Sequence, residues 1–223
     1  MANPIRSAFD GCGALLPGET TARRVTLAIL LLAVLLRALL VIANVQANDD
    51  HLGVIRIIAH EHRFPEPHED REAFQPKLYH TTVAAVLQIL PALPMQIEYR
   101  VAQAVSAAAG IATLLVLLAF LKRFELSERA RLWTFGLVAL NPKMISTSIQ
   151  ATNDAFVILF ASAAIFAAWR FFSSGTTASL AATTGFAILA AISKGNGLVL
   201  AIAVVCLFLG LLAHPDERLG LSR

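Results

Sequence analysis

The sequence predicts an all-α, polytopic membrane helical bundle: about six transmembrane helices, with an outer-face loop carrying interfacial helices after the first span. Three observations point to it. Of the 223 residues, 57% are hydrophobic and 15% charged, with a mean hydropathy of +0.68; soluble domains carry about 25% charged residues. The apolar residues gather in stretches near the ~20 residues that a helix needs to cross the hydrocarbon. The charges are unevenly spread, residues 46–100 holding 13 of the 33 charged side chains and 5 of the 6 histidines. These figures exclude a soluble domain of this size, and also a disordered chain, which needs low hydrophobicity. A net charge of +3 without a basic run excludes a nucleic-acid surface. Cys12 and Cys206 have neither metal-site spacing nor support for a disulfide.

Residues 1–24 read as a cytoplasmic tail and residues 25–45 as a retained first span, too long for a signal-peptide core and followed by no small-residue cleavage site. The outer loop, residues 46–96, then carries a short apolar stretch over 78–95 with Pro91 and Pro94, suited to a helix at the interface or buried in protein rather than a crossing. Residues 97–121, 132–151 and 155–172 read as spans two to four. Residues 178–213 would form a helix of about 54 Å if unbroken, too long for one bilayer. Lys194-Gly195-Asn196-Gly197 therefore divides them into two short spans, and residues 214–223 return to the cytoplasm. The module thus runs over residues 25–213. With the N-terminus inside, ten basic residues face inward against seven outward, four of the ten in the 122–131 loop. This bias puts the His- and acid-rich loop on the periplasmic or lumenal side. Ala102, Ser106 and Gly110, and the alanines of 161–168, are small enough for close helix contacts.

Five features carry candidate chemistry. Asn48-Asp49-Asp50-His51 lies where the first span emerges; its carboxylates suit a general base or a metal ligand, or simply a polar helix end. Residues 72–80, with Gln75, Pro76 and Tyr79, open the short helix as an interfacial anchor. Asn153-Asp154 is either a loop or, by burial, a site. Lys194 between glycine-flanked apolar runs either snorkels or meets an anion such as phosphate. Arg37, deep in span one, calls for a partner inside the bundle. His51, His60, His62, His68 and His80 raise the question of a divalent metal, but their spacing shows no convergent ligand set.

Taken together, these motifs resemble the N-terminal membrane module of the GT-C type glycosyltransferases that use lipid-phosphate sugars, such as the protein O-mannosyltransferases and aminoarabinose transferases. Asp49-Asp50 stands at that family's acidic pair. Gln75-Pro76-Lys77-Leu78-Tyr79 stands at its Gln/His-Pro-Pro-Leu-Tyr-type motif, with Lys77 in place of the second proline. Tyr99-Arg100, Asn141-Pro142, Asn153-Asp154 and Lys194 follow in the family's order, the resemblance spanning residues 25–212.

The resemblance implies inverting transfer of a sugar from a polyprenyl-phosphate donor to a protein, lipid or glycan acceptor. It implies Asp49 or Asp50 as base, with Asp154 shaping the site. Arg37 and Lys194 would hold the donor phosphate, while Gln75, Tyr79 and Asn153 line the substrate groove. Family members run longer, so an N-terminal portion, a truncated remnant or a non-catalytic membrane subunit is the first alternative. A small transporter lined by Arg37, Asp154 and Lys194 is the second, although residues 25–120 and 130–213 show no inverted repeat.

Overall fold

The computed structural model describes residues 20–44 and 51–213, and every regular element among them is helical. The tails and the acidic pair Asp49-Asp50 lie outside the described residues. Helix α1 covers Thr20–Ala43, α2 Leu52–Glu61, α3 Leu78–Ile89 and α4 Met95–Leu121. They are followed by α5 over Glu128–Ala139, α6 over Pro142–Ser148 and α7 over Asp154–Ser174. Helix α8 over Thr177–Ser193, a 3-10 turn over Gly195–Gly197 and α9 over Leu198–Ala213 complete the order. Among the described residues, α1, α4 and α7 are long and apolar enough to cross a membrane.

The long helices are apolar all round because both protein and lipid accept apolar side chains. On α1, Leu30, Ala33 and Val41 are buried while Leu31, Leu35, Leu39 and Ile42 point outward, where lipid is the solvent. Helix α4 is central, packing against α1, α7 and the short α3. Its predicted small-residue face is the contact face: Ala102, Ser106 and Gly110 are all buried. Two apolar clusters result. One joins α2, α3, the start of α4 and α7 through Ile55, Tyr79, Val83, Ala102 and Phe156. The other joins α1, the end of α4 and α5 through Leu30, Leu114, Leu118 and Phe135.

One expected span takes a different form. Residues 132–151 are two helices, not one, because Pro142 has no N–H to continue the ladder and sits at the first turn of a new helix. Asn141 caps that helix, its Oδ1 accepting from the amides of Lys143 at 2.9 Å and Met144 at 3.2 Å. The Lys143 amide would otherwise have bonded the Ala139 carbonyl, which is left for another donor. Arg37 supplies it.

The Arg37 guanidinium is 1% exposed. Its Nη1 donates to Ala139 O at 3.3 Å and Ala33 O at 3.0 Å, and its Nε to Ser148 Oγ at 2.9 Å. A buried cation is tolerated only with such partners. Gly110 makes room for the last of them: a Cβ there would collide with the Ser148 side chain and come within 3.5 Å of Arg37 Nε. Gly110→Ala is therefore expected to push Ser148 away and loosen the α1–α6 contact. It should cost about 1–3 kcal/mol, read as a lower thermal midpoint of the purified protein by circular dichroism, with transfer of the same loss to Ser148→Ala.

Candidate active site

His51, the α3 residues Tyr79 and His80, and residues 149–152 meet on one side of α4. His51, first residue after the acidic pair, donates its backbone N–H to Ala151 O at 3.2 Å. Its ring lies against His80, Nδ1 to Nε2 at 2.8 Å, with both rings buried. Tyr79, beside His80 on α3, stacks edge-on to His51 at 6.2 Å and to Phe156 at 5.3 Å between ring centroids. Its hydroxyl donates to Ala102 O at 3.0 Å and accepts from Ser106 Oγ at 3.2 Å. Ser106 Oγ also lies 3.2 Å from Thr152 O. Gln103 completes the seam, its amide nitrogen reaching Ile149 O at 2.8 Å and Asn44 O at 3.2 Å. Both described flanks of the acidic segment, Asn44 and His51, are thereby tied to the 149–151 segment that leads into α7.

Helix α7 begins at Asp154, whose carboxylate receives Lys194 Nζ at 2.5 Å across the gap to the end of α8. Asp154 is favourably placed in a helix first turn, where amide dipoles stabilise a negative charge. The lysine sits where α8 stops: its backbone is extended, and Gly197 lies so close to the Ala190 carbonyl that any Cβ would overlap it. The pair is half-open, with 38% of the Asp154 side chain and 20% of the Lys194 side chain exposed. Beside it, Asn153 is fully buried and both atoms of its amide lack a hydrogen-bond partner. This arrangement offers a cation for an anionic group, a carboxylate to hold or release that cation, and an amide able to donate and accept.

The other candidates lie differently. Arg37 hydrogen-bonds only within α1, α5 and α6 and is closed off by packing, as described above. Gln75 is part-exposed and gives its carbonyl to Lys77 Nζ at 2.5 Å. Tyr79 is buried in the seam. Lys77 also bonds Ala73 O at 2.5 Å, so the position of the missing proline is held by a lysine clamping its own turn. Burial lowers its pKa against the opposing pull of Asp70 and Glu72. Among the described residues, no three His, Cys, Asp or Glu side chains gather as metal ligands.

The His51–His80 pair was not legible in the sequence, since the two are 29 residues apart and no spacing rule links them. Across this contact one ring nitrogen donates and the other accepts. Burial drives the His80 pKa down to about 3, with His51 and Lys77 adding to the effect and the Pro76 carbonyl opposing it. The folded form thus refuses a proton that the unfolded chain takes near the ordinary histidine value of about 6.5. Stability is then flat above about pH 6.5 and falls below it, by at most about 1.4 kcal/mol per pH unit, until the pH nears the folded value. Thermal melts between pH 8 and pH 4 should show this fall in the native protein and a shallower one in His80→Gln.

Residues 85–222 match the family model described as dolichyl-phosphate-mannose-protein mannosyltransferase, more than half of the chain. The match takes in Asp154 and Lys194 and begins beyond Gln75, Tyr79 and His80. Comparison with curated proteins and with solved structures gives no match.

Proposed function

Because the chain belongs to the dolichyl-phosphate-mannose-protein mannosyltransferase family, we propose that it moves a sugar from a polyprenyl-phosphate donor to an acceptor hydroxyl on the periplasmic or lumenal face. The observation that carries this reading is the half-open Asp154–Lys194 pair, set beside the buried, unpartnered Asn153 amide.

The reaction breaks the bond from the anomeric carbon to the phosphate oxygen and forms one to the acceptor oxygen. The leaving phosphate departs as an anion, and Lys194 is the described cation of the site that meets it, exchanging Asp154 for the phosphate as the donor arrives. Asp154, relieved of the lysine, orients the acceptor together with Asn153. Asp49 or Asp50 takes the acceptor proton as the oxygen attacks the opposite face of the sugar, giving inversion. Support for the acidic pair comes from its flanks, because His51 is bonded to the segment entering α7 and Asn44 shares the Gln103 amide with it. Gln75 and Tyr79 shape the groove wall from α3 and the turn before it. Arg37 acts as the pin of the broken span. In this reading the module covers residues 25–213 with six crossings, α8 and α9 among them, and both tails are cytoplasmic.

The test is mannosyl transfer from a polyprenyl-phosphate-mannose donor, assayed at matched membrane abundance. Lys194→Met should lower the rate about 10²–10³-fold, the usual loss for one donor to a developing anion. Asp49→Asn or Asp50→Asn should lower it about 10²–10⁴-fold as the base is lost. Full activity in both aspartate variants would sink the base assignment, and full activity in Lys194→Met the phosphate assignment.

A further inference from the structure

The end of the bundle opposite Asp154 gathers an excess of cations. Helices α1 and α5 run in parallel towards the site: Gly136 faces the Ile29 side chain, and further along Ala139 O accepts from Arg37. The first turns of the two helices, with Arg23 and Arg24 on α1 and Arg129 and Arg131 on α5, therefore share one level. Helix α4 ends at the same level, since Leu118 and Leu121 pack in one cluster with Leu30 and Phe135, and Lys122 and Arg123 follow it. Helix α7 ends there too: Trp169 lies 5.6 Å from Phe124 between ring centroids, with Arg170 next in sequence. The connecting loop is fastened to α5, because Arg131 Nη2 donates to Leu126 O at 3.1 Å and Ser127 Oγ accepts from Ala130 N at 3.2 Å.

Seven basic side chains thus stand here with the carboxylates of Glu125 and Glu128. Arg23, Arg24, Arg123, Arg129 and Arg170 are exposed, and among the described residues no carboxylate pairs with them. The other end is balanced by comparison, Arg56, Arg63 and Lys194 each meeting an acid. From Arg24 to Ala43, α1 rises about 28 Å, close to the ~30 Å hydrocarbon thickness, so the cations lie at headgroup level. Both tryptophans of the chain, Trp133 and Trp169, stand at this end, and indoles favour that same layer.

The outer face of α5 carries the decisive pattern. Arg129, Trp133 and Leu137 follow one another at four-residue intervals, so they form one row along the helix. All three are exposed, Trp133 at 71% and Leu137 at 66%. Read from the end of the bundle inward, the row is a cation, an amphipathic ring and an aliphatic chain. A phospholipid has the same layering: phosphate, glycerol ester, acyl tail. A soluble anion or an acidic protein would use the cations and leave Trp133 and Leu137 unmatched. We propose that this end of the bundle docks an anionic phospholipid along α5, its phosphate among the cations around Arg129 and its tail on Leu137. The site lies at the opposite end of α7 from Asp154, and its binding is read without sugar transfer.

The purified full chain in non-ionic detergent tests it, titrated with phosphatidylglycerol or phosphatidylcholine brominated on the acyl chains. Bromine quenches nearby indoles, and both indoles report from this end. Phosphatidylglycerol should quench at a mole fraction about fivefold or more below phosphatidylcholine, the scale of one cation at an anionic surface. Arg123→Gln combined with Arg129→Gln should remove the difference between the lipids. Arg71→Gln, at a side chain 96% exposed on the other end, should keep it. A measurement that needs no variant is the native chain in several hundred millimolar sodium chloride, where screening should narrow the difference. Equal quenching of the native chain by the two lipids overturns the proposal, as does a preference that the double variant retains. Loss of the preference to millimolar inorganic phosphate at constant ionic strength also overturns it, because the cations would then hold a free anion rather than a lipid.

Discussion

The bond from Arg37 to the Ala139 carbonyl is the constraint on which the rest of the structure depends. Breaking a membrane helix exposes backbone groups that lipid cannot satisfy. Here the break at Asn141-Pro142 leaves its stranded carbonyl to a guanidinium from the first helix. The same cation takes Ser148 Oγ and so fixes where the second half of the broken segment points. That half leads through residues 149–153 into α7, and hence to Asp154. A charge deep in an apolar helix thus positions the site from a distance.

From this pin outward, the site is assembled by backbone groups more than by side-chain pairs. The carbonyls of Asn44, Ile149, Ala151 and Ala102 each accept from a residue on another element. Such a seam tolerates changes in carbonyl-bearing residues while fixing the donors, Gln103, Ser106 and Tyr79, in place. The pairing of Lys194 with Asp154 is of another kind. It joins two helix ends at a partly open edge, where a competing anion has access and a carboxylate alone keeps the lysine in place.

Much of this architecture could be read from residues alone. The lengths and flanks of the first, second and fourth spans came from hydropathy, and the small faces of α4 and α7 from the small residues themselves. Asp154 and Lys194 stood out singly because a charge beside an apolar run is costly, but their contact was not readable, since 40 residues and two helices separate them. The split of residues 132–151 was visible as Asn-Pro and was outweighed by the continuous hydropathy around it. The His51–His80 pair depends on how the outer helices fold back on α4, a long-range arrangement that no local spacing encodes. Arg37 was recognised as needing a partner inside the bundle; a carbonyl freed by a distant proline is a partner that only tertiary structure reveals.

The unequal burial of the three long helices has a consequence for how the fold meets its surroundings. In their most apolar windows, 28% of α1 and of α7 is buried inside the protein, against 44% of α4. Helix α4 is therefore the most enclosed of the three, and α1 and α7 carry fewer buried side chains. Amphiphile chain length and lateral pressure then act on the spacing of these two helices directly. The Arg37 contact and the entry to α7, which hang from them, inherit that sensitivity, so the Asp154–Lys194 edge responds to the thickness of the membrane in which the chain sits.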